Sequence, residues 1–272
     1  MPLEALTSAE ISLPPKPDAL RVRERIAALA DSVDLVALTD NHAGEARMSP
    51  LAAVALAREQ GVRTVVHISC RDRNRLALQS QVVGAAALGA EGVLCVQGDP
   101  VDDVPRVGDL TATRLIRRVK DWAAPQTIAV GAVVNPFADD VGREIALLER
   151  KLAAGAEFVQ SQMTFDVTAL TTFLDRAAGL LHDVRFYAGL GLLRNERMAD
   201  RARALPGCVL PDAAHRRIVL GDGLRLAKEL ARELAGIPAV DALHIYPLGA
   251  ESATRDIATA FRTARGAPAY RH

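Results

Sequence analysis

Residues 64–100 read TVVHISCRDRNRLALQSQVVGAAALGAEGVLCVQGDP. Two short apolar runs, Thr64 to Ile68 and Gly92 to Val96, each end in polar residues and flank a longer segment. Strand-length runs at this spacing are what a parallel pair joined by a helical crossover requires. Working outward, the pattern repeats along the chain. The further strand candidates are Ala9 to Leu13, Leu35 to Leu38, Ile128 to Val134, Phe158 to Ser161, Val184 to Leu190 and Ala242 to Ile245. The segments between them have helical spacing. Leu115, Val119 and Trp122 share one face, as do Ile145, Leu148 and Leu152, and Ala227, Leu230, Ala231 and Leu234. Eight strand and helix units predict a single-domain (β/α)8 TIM barrel of α/β class over residues 1–272. The long connection from Leu193 to Leu220 leaves room for additional helices.

An open doubly wound sheet is the competing fold, but no strand is followed by GxGxxG. Gly189 with Gly191, and Gly221 with Gly223, give only two-glycine fragments, which this reading takes as turns. Half of the 272 residues are apolar and only 4% are aromatic, so the core is built from Ala, Val, Leu and Ile, as in a parallel sheet covered by helices. Lys plus Arg and Asp plus Glu each number 33, with no single-sign run, which leaves no electrostatic footprint for nucleic acid or an anionic membrane. Cys70, Cys95 and Cys208 form no CxxC pair, and no metal site is expected. No apolar stretch reaches a membrane span and the start of the chain has no signal-peptide pattern, so the expected location is the cytoplasm.

In a parallel barrel the chemistry sits at the C-terminal ends of the strands. Here those ends are polar: Thr39 to Asn41, His67 with Ser69 to Arg71, Gln97 to Asp99, Asn135, and Gln160 with Gln162. Taken singly, Asp40 or Asp99 also suits a helix cap, and His67 a satisfied core histidine. Taken together, a rim of amides, hydroxyls and acids suits a heterocycle that alternates hydrogen-bond donors and acceptors, such as a pterin or an isoalloxazine.

Several stretches carry a resemblance. TDNHAGEARMSPLA (39–52), HISCRDRNRLALQSQVVGAAALGAEGVLCVQGDP (67–100), VGAVVNPF (130–137), RKLAAGAEFVQSQMTFD (150–166) and, more weakly, ALHIYPLG (242–249) resemble the methylenetetrahydrofolate reductases, particularly a short bacterial form. The resemblance covers most of the chain and implies the same barrel. It implies reduction of 5,10-methylenetetrahydrofolate to 5-methyltetrahydrofolate, or the reverse oxidation, in one-carbon metabolism. The flavin is FAD or FMN, and the electron donor is NADH or NADPH. Glu10 matches the family's general acid, and burial is expected to raise its pKa toward neutrality. Asp99 matches the acid set between flavin and folate, and Gln162 a glutamine that bonds the folate ring. Thr39, His67, Gln97, Gly98 and Asp99 align with flavin-contacting positions. Glu144, Arg150 and Lys151 align with a helix face that holds the dinucleotide tail. Leu147 replaces an asparagine on that face, and Asn135 stands where many relatives carry tyrosine.

Two other readings stand beside this one. A folate barrel that transfers a methyl group needs no flavin. A reductase subunit that depends on a separate electron-transfer partner protein needs no cluster of its own, which suits the three scattered cysteines. Association into a homo-oligomer is compatible with each.

Overall fold

A computed structural model describes residues 3–99, 105–205 and 207–268. Its eight strands are β1 (Thr7–Ile11), β2 (Leu35–Leu38), β3 (Thr64–Ser69), β4 (Gly92–Val96), β5 (Ala129–Val134), β6 (Phe158–Met163), β7 (Arg185–Gly191) and β8 (Ala242–Tyr246). They pair in parallel in chain order and close, with β8 against β1. The wall helices are α1 (Ala19–Ala30), α2 (Pro50–Glu59), α3 (Arg75–Ala87), α4 (Ala112–Ala123), α5 (Val141–Ala153) and α6 (Val167–Leu181). Between β7 and β8 lie α7 (Glu196–Ala204), α8 (Asp212–Val219) and α9 (Gly223–Ala235), and α10 (Thr254–Ala264) follows β8. The expected barrel is the fold, and the long connection after Leu193 does hold two helices.

Strand periodicity of two sorts neighbouring residues into two apolar clusters. Val36, Val66, Val130, Val159 and Phe186 join helix residues such as Ile26, Leu78 and Leu148 in the large cluster between sheet and helices. Leu35, Val65, Ala129, Phe158 and Tyr187, each one residue away in sequence, form a second cluster that plugs one end of the barrel. Each fully buried large side chain contributes roughly 1.5–3 kcal/mol of transfer free energy. Phe158 needs the space opposite it: a Cβ on its partner Gly131 would lie 2.1 Å from the ring. The plug ends where the inward positions turn polar, from Val65 to His67, from Phe158 to Gln160, and from Ala242 to His244. Helix starts are fixed locally: Asp18, Asn74, Thr111, Asp140, Asp166 and Asn195 each cap a helix, worth about 1 kcal/mol apiece.

Two expectations need correction. The first strand runs from Thr7, not Ala9, and stops at Ile11. Leu13 is buried and apolar like a strand residue, but Pro14 follows it and cannot continue a ladder. Thr7 is polar yet buried, because Asp34 accepts from its hydroxyl and backbone N–H. Gly189 and Gly191 are not turn residues but lie inside β7. A Cβ at Gly189 would meet the Ser161 and Gln162 carbonyls at 2.5 and 2.8 Å, so the missing side chain serves close packing. Gly221, at φ +83°, is in a turn as expected, whereas Gly223 is the first residue of α9, where a Cβ would lie 1.9 Å from the Leu193 carbonyl.

Candidate active site

A cavity of about 560 Å³ opens over the polar ends of the strands. Glu10 of β1, His67 of β3, Gln162 of β6 and Tyr246 of β8 line it, together with Thr39, Gln97, Gly98 and Asp99 from the loops after β2 and β4. Glu144 and Lys151 of α5 close one side. Nine of the ten residues anticipated from the sequence therefore face one space. The tenth, Arg150, lines a second cavity of about 630 Å³ that shares Gln97, Val133, Leu147 and Lys151 with the first.

Glu10 sits one residue before the end of β1, beside Ala37 of β2. Its Oε2 is 3.9 Å from His244 Nε2, and the other ring nitrogen of that histidine meets the Ser8 hydroxyl at 2.8 Å. His244 in turn stands edge-on to Tyr246, with ring centroids 4.7 Å apart. Burial pushes the Glu10 carboxyl upward, but the side-chain contact and charge of His244, with His67 and His42 behind it, outweigh burial and hold it below the usual carboxylate range. The expected rise toward neutrality is not what the site shows. Burial also drives His67 down to about 4, so that ring is neutral at pH 7. His67 is not a satisfied core histidine, since its buried Nε2 has no hydrogen-bond partner among the described residues.

Asp40 is not a cap. It accepts from the Ser69 N–H at 2.8 Å and pairs with the Arg73 guanidinium, so it is committed to joining the loops after β2 and β3. The Thr39 hydroxyl donates to the Ile11 carbonyl. Gln97 accepts from the Ala112 N–H and so caps α4 while it lines both cavities. Gly98 has φ +79°, and a Cβ there would lie 2.5 Å from the Ser69 hydroxyl. Asp99 is exposed at the rim. Gln162 occupies an irregularity in β6, where its Oε1 accepts from the Met163 N–H. Lys151 is buried and donates to the Val133 carbonyl at 2.7 Å, 4.0 Å from Glu144; burial lowers its pKa against the pull of Glu144. The Glu144 carboxylate also accepts from the Asn135 N–H.

The methylenetetrahydrofolate reductase family model matches residues 4–262. The chain belongs to that family. Methylenetetrahydrofolate reductase 1 of Schizosaccharomyces pombe is 24% identical over 214 residues, 72% of this chain and 35% of the relative. Methylenetetrahydrofolate reductase 2 of Saccharomyces cerevisiae is 25% identical over 237 residues, 78% of this chain and 39% of the relative. This family member thus spans well under half the length of those yeast proteins. Among solved structures, a Clostridium thermocellum protein that binds two copies of 5-methyl-5,6,7,8-tetrahydrofolic acid has the same fold, with TM-score 0.70 and 14% identity over 96% of this chain and 95% of that one. A Yersinia pestis DHPS solved with a pterine-sulfa conjugate aligns with TM-score 0.53 and 16% identity, over 98% of each chain. Among the described residues, no helix is long and apolar enough to cross a membrane.

His244, Tyr246 and Ser8 escaped the sequence reading. ALHIY reads as one apolar strand, and the available signal was its alternation: Ala242 lies in the barrel plug, and positions 244 and 246 follow it on the same face.

Proposed function

We propose that the protein interconverts 5,10-methylenetetrahydrofolate and 5-methyltetrahydrofolate with a bound flavin. The observation that carries this reading is the placing of two acids on one cavity, Glu10 deep on β1 against His244 and Asp99 exposed at the rim. Ring opening of the folate needs a proton at the departing nitrogen. Glu10 is held ionised before folate enters, so it must first take up a proton. It then passes that proton to the nitrogen, the carbon–nitrogen bond breaks with its electron pair going to that nitrogen, and an electrophilic iminium is left. His244 Nε2 lies 3.9 Å from that carboxylate. Asp99 stabilises the cation electrostatically, and the Gln162 amide pairs with the pterin edge.

The site fits a flavin. His67 lines the cavity and its buried Nε2 has no partner among the described residues, which suits a ring heteroatom, while Thr39, Gln97 and Gly98 flank the same space. When bound, the reduced flavin supplies the hydride that converts the methylene carbon to a methyl group. Glu144 and Lys151 would hold its ribityl side. Arg114, Arg117 and Arg150 line the second cavity, which supports FAD over FMN because a diphosphate and adenylate need both room and cationic partners. The electron donor is read as NADH or NADPH.

The test is the visible spectrum of the protein supplied with FAD, before and after anaerobic addition of 5-methyltetrahydrofolate. Bleaching of the flavin band supports the reading. A bound flavin that stays oxidised, with methyl transfer detected to an acceptor, would replace it.

A further inference from the structure

Arg71 follows β3 and is among the largest fully buried side chains of the protein, 2% exposed. Its Nε and Nη2 fork onto the Asp72 carboxylate at 2.6 and 2.7 Å. Nη1 donates to the Asp99 carbonyl at 3.1 Å, and Nη2 also donates to the Asn41 carbonyl at 3.0 Å. Asn41 and Asp99 both line the central cavity, on the loops after β2 and β4. The Arg71 carbonyl accepts from the Val107 N–H at 2.9 Å. Gly98 packs so closely that a methyl group there would lie 2.8 Å from Arg71 Cβ.

A buried ion pair is a poor source of stability, since an apolar side chain of similar volume commonly serves as well. What an apolar residue cannot do is donate to two loop carbonyls at once. The guanidinium does so because its fork is planar and its donors point in fixed, divergent directions. Asp99 has an exposed side chain, so its place over the cavity is set through its backbone, and Arg71 grips that backbone from beneath.

We propose that Arg71 is a positioning residue that sets Asp99 against the folate. The proposal rests on the reading of Asp99 as the carboxylate that stabilises the folate cation. Lysine at position 71 keeps the charge but reaches one carbonyl at most, so Asp99 is released by a fraction of an ångström to an ångström. Displacement on that scale costs about 100-fold in rate where orientation matters.

The experiment is a double-mutant cycle on the FAD-loaded protein with Arg71→Lys, Asp99→Asn and the pair. The rate of flavin reoxidation by 5,10-methylenetetrahydrofolate is followed anaerobically, and FAD affinity is titrated in parallel. Expected are a loss of roughly 10- to 100-fold for Arg71→Lys with FAD affinity held within about threefold, and little further loss when Arg71→Lys is added to Asp99→Asn. If Arg71→Lys slows the Asp99→Asn protein by the same factor as the parent, Arg71 acts only on the scaffold and the proposal is overturned. If Asp99→Asn alone reacts like the parent, the role given to Asp99 fails instead, and Arg71 with it. Should Arg71→Lys not fold, Asp72→Asn loosens the fork while keeping the guanidinium. The same non-additivity with Asp99→Asn is then expected, and additivity overturns the proposal.

Discussion

His244 Nε2 lies 3.9 Å from Glu10 Oε2, and the Ser8 hydroxyl holds the opposite ring nitrogen at 2.8 Å. The three residues come from paired strands, with Ser8 opposite His244 in the β1–β8 register. This makes Glu10 one of a pair and not an isolated carboxyl. Two substitutions separate its members. Glu10→Gln removes the proposed proton donor and is expected to slow the proposed folate half-reaction by about 100- to 10,000-fold while FAD still binds. His244→Asn leaves the carboxyl but removes the largest of the contacts that oppose burial at Glu10. The Glu10 pKa then rises, and the pH at which the folate rate falls off moves upward. Stopped-flow rates across pH check both, and an unmoved limb in His244→Asn would remove that residue from proton handling.

His67 makes the empty fold sensitive to mild acid. Its ordinary value is 6.5 and its folded value about 4, with burial as the main cause. Between those pH values the unfolded chain binds more protons, so stability falls as pH drops from about 6.5 to 4 and the loss levels off below that. The total is roughly 3 kcal/mol. Glu10 is lowered, so its contribution is present above 4.5 and disappears only at lower pH. The two therefore act in adjoining windows. Urea unfolding of flavin-free protein at pH 7 and pH 4.5 should show the loss, and His67→Asn should flatten it.

The second cavity gives a prediction about the tail of the cofactor. Arg117 lines it on α4 and does not line the central cavity. Arg117→Glu places a like charge beside a diphosphate, so FAD affinity should fall by about tenfold or more, and more so at low salt. FMN keeps one phosphate but lacks the adenylate, and should be weakened less than FAD. Equal loss of both flavins, read by fluorescence titration, would mean that the tail does not lie along α4.

The barrel was legible because each strand's polar end and apolar body are written in consecutive residues, as in VVHIS at 65–69. The missed features depend on contacts distant in sequence. Thr7 looks too polar for a strand until Asp34 is placed beneath it. His244 looks like core until β8 closes on β1 and brings it to Glu10. The direction of the Glu10 shift is hidden for the same reason: burial is visible in an apolar neighbourhood, whereas the opposing histidine is 234 positions away in the chain. Gln97 suits a ligand contact in the sequence, but its cap on α4 depends on the Ala112 N–H, 15 positions along the chain.

Leu248 offers a test in which stability and binding move in opposite directions. It lines the central cavity, is 40% exposed, and alone among the described non-glycine residues has a positive φ, 51°. Gly249 follows at φ +84°, and the Ala250 N–H closes the turn on the Pro247 carbonyl at 3.0 Å. A turn with both central residues left-handed favours Gly, Asn or Asp, and leucine there costs about 1 kcal/mol. An apolar side chain held at that cost on the lip of a polar cavity is accounted for if it covers one face of the bound ring. Leu248→Asn should therefore raise the unfolding free energy by about 0.5–1 kcal/mol, since asparagine accepts the left-handed conformation and little apolar area is lost. The same variant should bind 5-methyltetrahydrofolate several-fold more weakly, because an amide replaces an apolar surface worth about 25 cal/mol per Å² covered. Urea melts and folate titration read the two effects independently. A variant that is more stable and binds folate as before would mean that the leucine covers nothing in the bound state.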